Sequence, residues 1–294
     1  MDPTAIIWLG PVPGAMALVV LLLASLFVAP RSENGTSAMS GRLAWLLAAM
    51  AVGLAYLPAD FSINNFPGWW PKDATLRFGH IAAVSTVALG LAALVRSRLL
   101  IAIVTGLLTA AALWAVLNTL HPRFISTPSF IVHLALGALI SAAAMLAPRV
   151  EASGARFTTP ASLLIGSVFA GPILFLAHQA SFAQQTGPLV AAMSAWLIVG
   201  FLRRSRPVPE CVMGTFVVLL IAIMVAGHHH SYTPVHAAAT LVIALIPLTP
   251  AATRLPIKRA RLRALLPLAL SLMLGIAGLV IALLTSAPST PSGY

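Results

Sequence analysis

Charged side chains are scarce in this sequence: Asp, Glu, Lys and Arg make up 8% of its 294 residues, against about 25% in soluble domains. The apolar fraction is 60% and the mean hydropathy is +0.98, which excludes an ordinary soluble domain. Cysteine occurs once, at Cys211, which excludes an intramolecular disulfide and a cysteine-based metal site. The six acidic residues all fall outside the long apolar runs, which disfavours an ion-driven carrier with ionisable groups near the membrane midplane.

Ten apolar runs, bounded by Pro, Gly or charge, account for most of the chain. A spanning helix needs about 20 apolar residues, and only helices or closed barrels satisfy backbone groups in hydrocarbon. We therefore predict an all-α, polytopic transmembrane helical bundle of about ten spans, forming a single domain over residues 1–294. The first run has no basic segment before it, and we expect it to be retained as a span. The predicted spans are 5–29, 43–59, 75–95, 99–120, 128–147, 158–181, 187–202, 211–228, 234–251 and 264–285.

The basic residues are distributed unequally between the two sides of the predicted bundle. Lys72, Arg77 and Arg123 fall in loops on one side. The other fourteen fall on the opposite side, which the positive-inside rule makes cytoplasmic: Arg31, Arg42, Arg96, Arg98, Arg149, Arg156, Arg203, Arg204, Arg206, Arg254, Lys258, Arg259, Arg261 and Arg263. This distribution predicts a bacterial inner-membrane protein with both termini extracytoplasmic. It also explains the net charge of +11 without a nucleic-acid partner.

Short similarities indicate an internal repeat. "VRSR" at 95–98 recurs as "RRSR" at 203–206, and "STP" at 126–128 recurs as "YTP" at 232–234. Near-constant offsets favour duplication of a four-helix unit, with repeats over 42–149 and 150–254 and flanking helices at 5–29 and 264–285. Chance agreement between short, common peptides is the alternative.

All eight histidines fall on the predicted outer side, and four of them lie within the stretch "GHHHSYTPVH" at 227–236. Neutral imidazole is a ligand for copper, zinc, iron and nickel. Adjacent helical residues point about 100° apart, so at most two of the three consecutive histidines converge on one ion. We predict metal ligands among His228, His229, His230, His236 and Met224, with His228, His230 and His236 as the favoured set.

Three further histidines are predicted to bind a cofactor or assist the metal: His80, His133 and His178. His121 and His133 flank the hairpin that corresponds to 228–236 in the proposed repeat. Asp60 and Asp73 lie in the outer connection, which we interpret as an aromatic belt formed by Trp69 and Trp70 at the headgroup level; the alternative is that one of the two carboxylates binds the metal or a histidine there. Hydrogen bonding of lone histidines with headgroups, and proton handling, are the alternatives for these imidazoles.

The Gly-His pair at a helix end, followed by an outer loop and a histidine that opens the next helix, resembles the CopD-type copper-resistance membrane proteins. The resemblance covers residues 226–245 and implies copper at the outer face. The doubled four-helix unit with outer histidines is also similar to haem A synthases, although their Glu-x-x-x-His-Arg signature is absent.

The favoured function is copper acquisition, or copper delivery to an extracytoplasmic cuproenzyme, at the periplasmic face. The first alternative is a membrane oxidoreductase or electron carrier with haem b or catalytic copper near the outer face. The second is a non-catalytic subunit of a larger membrane complex, in which the histidines are interfacial. Whether the protein is an enzyme is left open by the sequence. Its expected partners are the lipid bilayer, other membrane-complex subunits or an extracytoplasmic cuproprotein.

Overall fold

The computed structural model describes residues 7, 9–27, 38–64, 68–69, 71–147, 157–202, 210–230, 235–257 and 259–286. Over these ranges the chain is helical and contains no strand. The ten helices follow the ten predicted apolar runs in order. They are α1 (Pro11–Phe27), α2 (Ala38–Asn64), α3 (Phe78–Leu94), α4 (Arg98–Leu117), α5 (Thr127–Leu146), α6 (Thr158–Leu176), α7 (Ala180–Leu202), α8 (Met213–His229), α9 (Ala237–Leu245) and α10 (Ala260–Ser286).

Local sequence explains several helix ends. Ser97 caps α4 by accepting a hydrogen bond from the Leu100 backbone N–H at 3.3 Å, and a proline occupies the first turn of α5, where its missing N–H has no helical partner. The helix α9 is short and continues as a 3₁₀ helix over Ile246–Arg254, which contains Pro247 and Pro250. Proline cannot donate the N–H that an α-helix needs, so these prolines account for the change.

Within the described ranges, seven helical segments are long and apolar enough to cross a membrane, and three shorter apolar helices accompany them. The long ones are α2, α4, α5, α6, α7, α10 and the combined segment Ala237–Arg254. Large apolar side chains such as Leu107, Leu139 and Leu284 are exposed on the outside of the bundle. These features indicate a membrane protein whose surroundings are a lipid bilayer.

Helix α8 lies at the centre of the bundle. It contacts each of α2, α3, α4, α5, α6, α7 and α9, and these seven form a ring around it. All its residues from Met213 to Gly227 are buried. A helix that is apolar on every face is stable in such a position because every face meets another helix.

Helices α1 and α10 lie outside this ring. The first packs in the groove between α2 and α7, and the second packs against α6 and α9. The two predicted flanking helices are thus peripheral, and the predicted repeat segments make up the ring and its centre. Helix α8 is enclosed whereas α4, its counterpart in the proposed repeat, exposes Leu99 and Leu107. Duplication itself remains a prediction.

The two ends of the bundle differ in chemistry. One end, here called the histidine end, holds the last turns of α2, α4, α6 and α8 and the first turns of α3, α5, α7 and α9, and all eight histidines lie there. The opposite end holds the described arginines at 42, 96, 98, 254, 259, 261 and 263. The residues Arg31, Arg149, Arg156, Arg203, Arg204, Arg206 and Lys258 lie outside the described ranges.

Candidate metal centre

Three imidazoles converge at the histidine end. His228 and His229 close the last turn of α8, and His133 lies in the second turn of α5. One ring nitrogen from each of the three lies within 4.8 Å of the other two. The ring centroids of His133 and His229 are 4.7 Å apart, and those of His228 and His229 are 4.4 Å apart. All three side chains are half-buried, so the cluster is reached from the end of the bundle.

Backbone carbonyls fix the orientation of two of these rings. The Nδ1 of His133 lies 2.7 Å from the carbonyl oxygen of Ser129, and the Nδ1 of His228 lies 2.5 Å from that of Val235. A carbonyl oxygen can only accept, so each Nδ1 carries the proton and each Nε2 keeps its lone pair. A metal-binding histidine usually donates its second N–H to such a partner, which sets the tautomer and the ring orientation.

Val235 is itself held against α8. Its backbone N–H donates to the carbonyl of Gly227 at 3.5 Å, while its carbonyl accepts from His228. A Cβ at Gly227 would meet the side chains of Leu174 and Val235. The glycine therefore allows the chain after the loop to lie close to the last turn of α8.

The separation of the nitrogens fits a small metal ion. The Nε2 atoms of His133 and His229 are 3.2 Å apart. Two nitrogens bound at about 2.0–2.1 Å around a tetrahedral ion are about 3.3 Å apart. A direct hydrogen bond between these atoms requires a proton on the Nε2 of His229, and an ion bound between them takes the place of that proton. The third nitrogen needs to move inward by no more than about 1.5 Å to complete the set.

The structure gathers a different set of three from the one that the loop pattern favours. His230 turns away and its Nε2 donates to the carbonyl of Val116 on α4 at 2.9 Å. His236 is exposed and caps α9, where its Nδ1 accepts from the backbone N–H of Ala238 at 3.3 Å. Two of the three consecutive histidines converge, as expected from their angular spacing. Their partner in the cluster is His133 from the adjacent hairpin.

The other predicted residues lie apart from the three-histidine cluster. His80, in the first turn of α3, has its Nε2 2.8 Å from the carbonyl of Gly68. His178 is exposed between α6 and α7, with a positive φ of 57°. Met224 is fully buried in α8, one helical turn before His228.

Arg77 lies in the interior of the histidine end and connects two elements there. It is buried, and its guanidinium donates to the carbonyls of Pro71, Lys72 and Ala115. Burial lowers the pKa of this guanidinium from its usual value, and the charge of Asp73 opposes the shift. The side chain joins the connection before α3 to the last turn of α4, which is the helix that also holds His230.

Sequence reasoning could not identify the groups that orient the cluster. Ser129, Val235 and Val116 act through backbone carbonyls, and a carbonyl has no side-chain signal. The only sequence signal for this arrangement was the repeated pattern of a helix end, a proline-containing loop and a histidine in the next helix.

The fold and the site together define a polytopic helical protein with a cluster of three imidazoles at one end of the bundle. Comparison with protein-family models, curated proteins and solved structures finds no match. The function is therefore argued from the residues of this chain.

Proposed function

We propose that this protein binds copper through His133, His228 and His229 at the outer face of a bacterial inner membrane, for acquisition or for delivery to an extracytoplasmic cuproenzyme. The observation that carries the proposal is the convergence of three ring nitrogens within 4.8 Å. In two of the three rings, those of His133 and His228, the Nδ1–H donates to a backbone carbonyl.

The donor set favours copper among the transition metals. A site made only of imidazoles suits copper, zinc, nickel and iron, and copper(II) binds most tightly among the divalent ions of the first transition row. The resemblance of residues 226–245 to CopD-type proteins supports the same metal. In this proposal the bundle has ten spans, the histidine end faces the periplasm, and the arginine-rich end faces the cytoplasm.

The geometry also favours exchange of the ion over permanent storage. No fourth histidine, cysteine, aspartate or glutamate of the described residues joins the three imidazoles, so a tetrahedral ion would have one position for another donor. Closed four-ligand sites are typical of structural metals, whereas three protein ligands are typical of sites that accept another ligand. A donor from a partner cuproprotein would fit this fourth position during transfer.

The three-histidine cluster fits a haem iron less well than it fits a single copper ion. The two axial nitrogens of a bis-histidine haem lie on opposite sides of the iron, about 4 Å apart for bonds of about 2 Å. The Nε2 atoms of His133 and His229 are 3.2 Å apart, which is the spacing of neighbouring ligands around one ion. The oxidoreductase alternative with a catalytic copper remains compatible with the cluster.

The test is metal analysis by mass spectrometry, with a visible spectrum, on protein purified in mild detergent without a histidine tag. We expect near-stoichiometric copper and no Soret band. The combined variant His133→Ala/His228→Ala/His229→Ala should lose the metal. The matched control removes three other histidines, His121, His178 and His236, and should retain it.

Each contrary result points to one alternative. A Soret band would favour the haem-containing oxidoreductase. Absence of both metal and haem, even after incubation with copper, would favour the non-catalytic subunit. Copper that survives in the cluster variant but not in the control would contradict the assignment of the ligands.

A further inference from the structure

A buried carboxyl lies within helix α2, apart from the three-histidine cluster. The predicted second span ended at residue 59, so Asp60 was expected in a loop. The helix instead continues past Pro58 to Asn64, and Asp60 lies inside the apolar segment Gly41–Ser62 with 2% of its surface exposed. The expectation that no acidic residue lies in a span is thus wrong at this position.

The two oxygens of Asp60 have different surroundings. Oδ1 accepts a hydrogen bond from the Nδ2 of Asn64, one turn later in α2, at 2.9 Å. Oδ2 is buried and meets no hydrogen-bond donor at normal geometry among the described residues, although the backbone N–H of Gly79 at the start of α3 interacts with the carboxyl. A Cβ at Gly79 in α3 would collide with Oδ2 and with the ring of Phe61, so the glycine makes room for the carboxyl.

A second buried polar pair lies one turn below the carboxyl. The hydroxyl of Tyr56 on α2 donates to the Oε1 of Gln185 on α7, and both side chains are buried. Tyr56 and Asp60 are four residues apart and share one face of α2. The polar groups therefore form a short column at the histidine end of α2, between α3 and α7.

The titratable groups on the surrounding elements are few. Near Asp60 they are Tyr56 on α2 itself, Arg77 and His80 at the start of α3, and the consecutive histidines that end α8, whereas Arg42, Glu210 and Cys211 lie at the opposite end of α2. Arg77 is directed to three backbone carbonyls. Helices α1 and α7, which also contact α2, contain no charged residue.

An ionised carboxylate in such surroundings is costly unless a cation or a proton neutralises it. A hard metal cation takes six or more oxygen ligands. Here Oδ1 accepts from Asn64 and the Oε1 of Gln185 accepts from Tyr56, which leaves Oδ2 as the side-chain oxygen of this column without a side-chain donor. A proton needs only that one oxygen.

We propose that Asp60 is a proton-binding site at the histidine end of the bundle, distinct from the copper centre. The proton adds to Oδ2 to form a neutral carboxylic acid, and it leaves from the same oxygen to the aqueous phase at that end. Intramembrane acids in helical proteins commonly serve as proton relays. The site would let the protein take up and release a proton independently of its metal.

The test is infrared spectroscopy of the full-length protein in lipid, recorded as a difference between acidic and alkaline pH. We expect a carbonyl band from a neutral carboxylic acid that grows as the pH falls. Growth on aspartate labelled with carbon-13 at its carboxyl should shift this band in the wild-type chain, which has only three aspartates. Asp60→Asn should abolish the buried-acid band, while Asp73→Asn, at an exposed carboxyl, should keep it.

Gly79→Ala provides a second readout that keeps Asp60 in place. The added Cβ would press on Oδ2, so the band should move in frequency. A band that persists in Asp60→Asn would overturn the proposal. So would a wild-type spectrum without such a band, because a carboxylate that stays ionised would make Asp60 a cap for the N-terminus of α3. Copper content in Asp60→Asn should be unchanged, so failure of this proposal is separable from failure of the metal assignment.

Discussion

The replacement His133→Ala tests how the copper centre is assembled. His133 is the ligand that α5 contributes, and its Nε2 lies 3.2 Å from that of His229. Removing a group that only orients a ligand typically weakens metal binding by about 10–100-fold. Removing the ligand itself should cost at least about 100-fold, or about 2.7 kcal/mol.

The variant should remain folded. His133 is half-buried, and its Nδ1 bonds to the carbonyl of Ser129 in its own helix, so no contact between helices other than the cluster is lost. Copper affinity would be measured by competition with a chromophoric chelator in detergent. Circular dichroism on the same samples would verify helix content.

His121→Ala is the matched control, because it removes an imidazole from the same hairpin. The His121 ring packs on Phe130 with centroids 4.7 Å apart, and its Nε2 lies 3.1 Å from the hydroxyl of Thr127. Its loss should leave copper affinity within about threefold, since it is not part of the cluster. If His133→Ala binds as tightly as wild type while His230→Ala and His236→Ala do not, the ligands come from the loop after α8 and our reasoning is refuted.

Three further outcomes are expected. Met224→Leu should keep copper affinity within about threefold and change stability by less than about 1.5 kcal/mol, since volume is conserved in the core; chelator competition and thermal unfolding check this. Gly137→Leu should lower the melting temperature and weaken copper binding, because a Cβ there meets the side chain of Leu113 one turn below His133; overpacking of this kind costs about 1–3 kcal/mol. Ser141→Ala removes the 2.8 Å hydrogen bond with Thr109 between α4 and α5 and should destabilise the bundle by about 0.6 kcal/mol in a denaturant titration, with copper content unchanged.

Hydropathy predicted the helices well because each apolar run is long and is bounded by charge, glycine or proline. It failed at the end of α2, where the predicted span stopped at residue 59, just after Pro58 and before the charge of Asp60. A proline is tolerated inside a membrane helix when neighbouring helices and side chains satisfy the freed backbone groups. The same residue pattern would end a helix in water.

The position of α8 could not be predicted from its sequence. Lipid and the interior of a helical bundle are both apolar, so hydropathy does not distinguish a helix surrounded by lipid from one surrounded by protein. The rotation of α8 about its own axis could not be predicted from its sequence either. Angular spacing predicted that two of the consecutive histidines converge, but the carbonyl of Val116 on α4 decides that His230 is the one turned away.

Helix α8 is enclosed by helices that come both before and after it in the chain. Six of the seven ring helices precede α8, and they leave one opening, between α5 and α6, where α9 later packs. Helix α9 therefore covers the one side of α8 that the preceding helices leave open. This short helix and the proline-containing 3₁₀ segment after it thus complete the ring around α8. A chain that lacked them would leave one side of its central helix facing lipid.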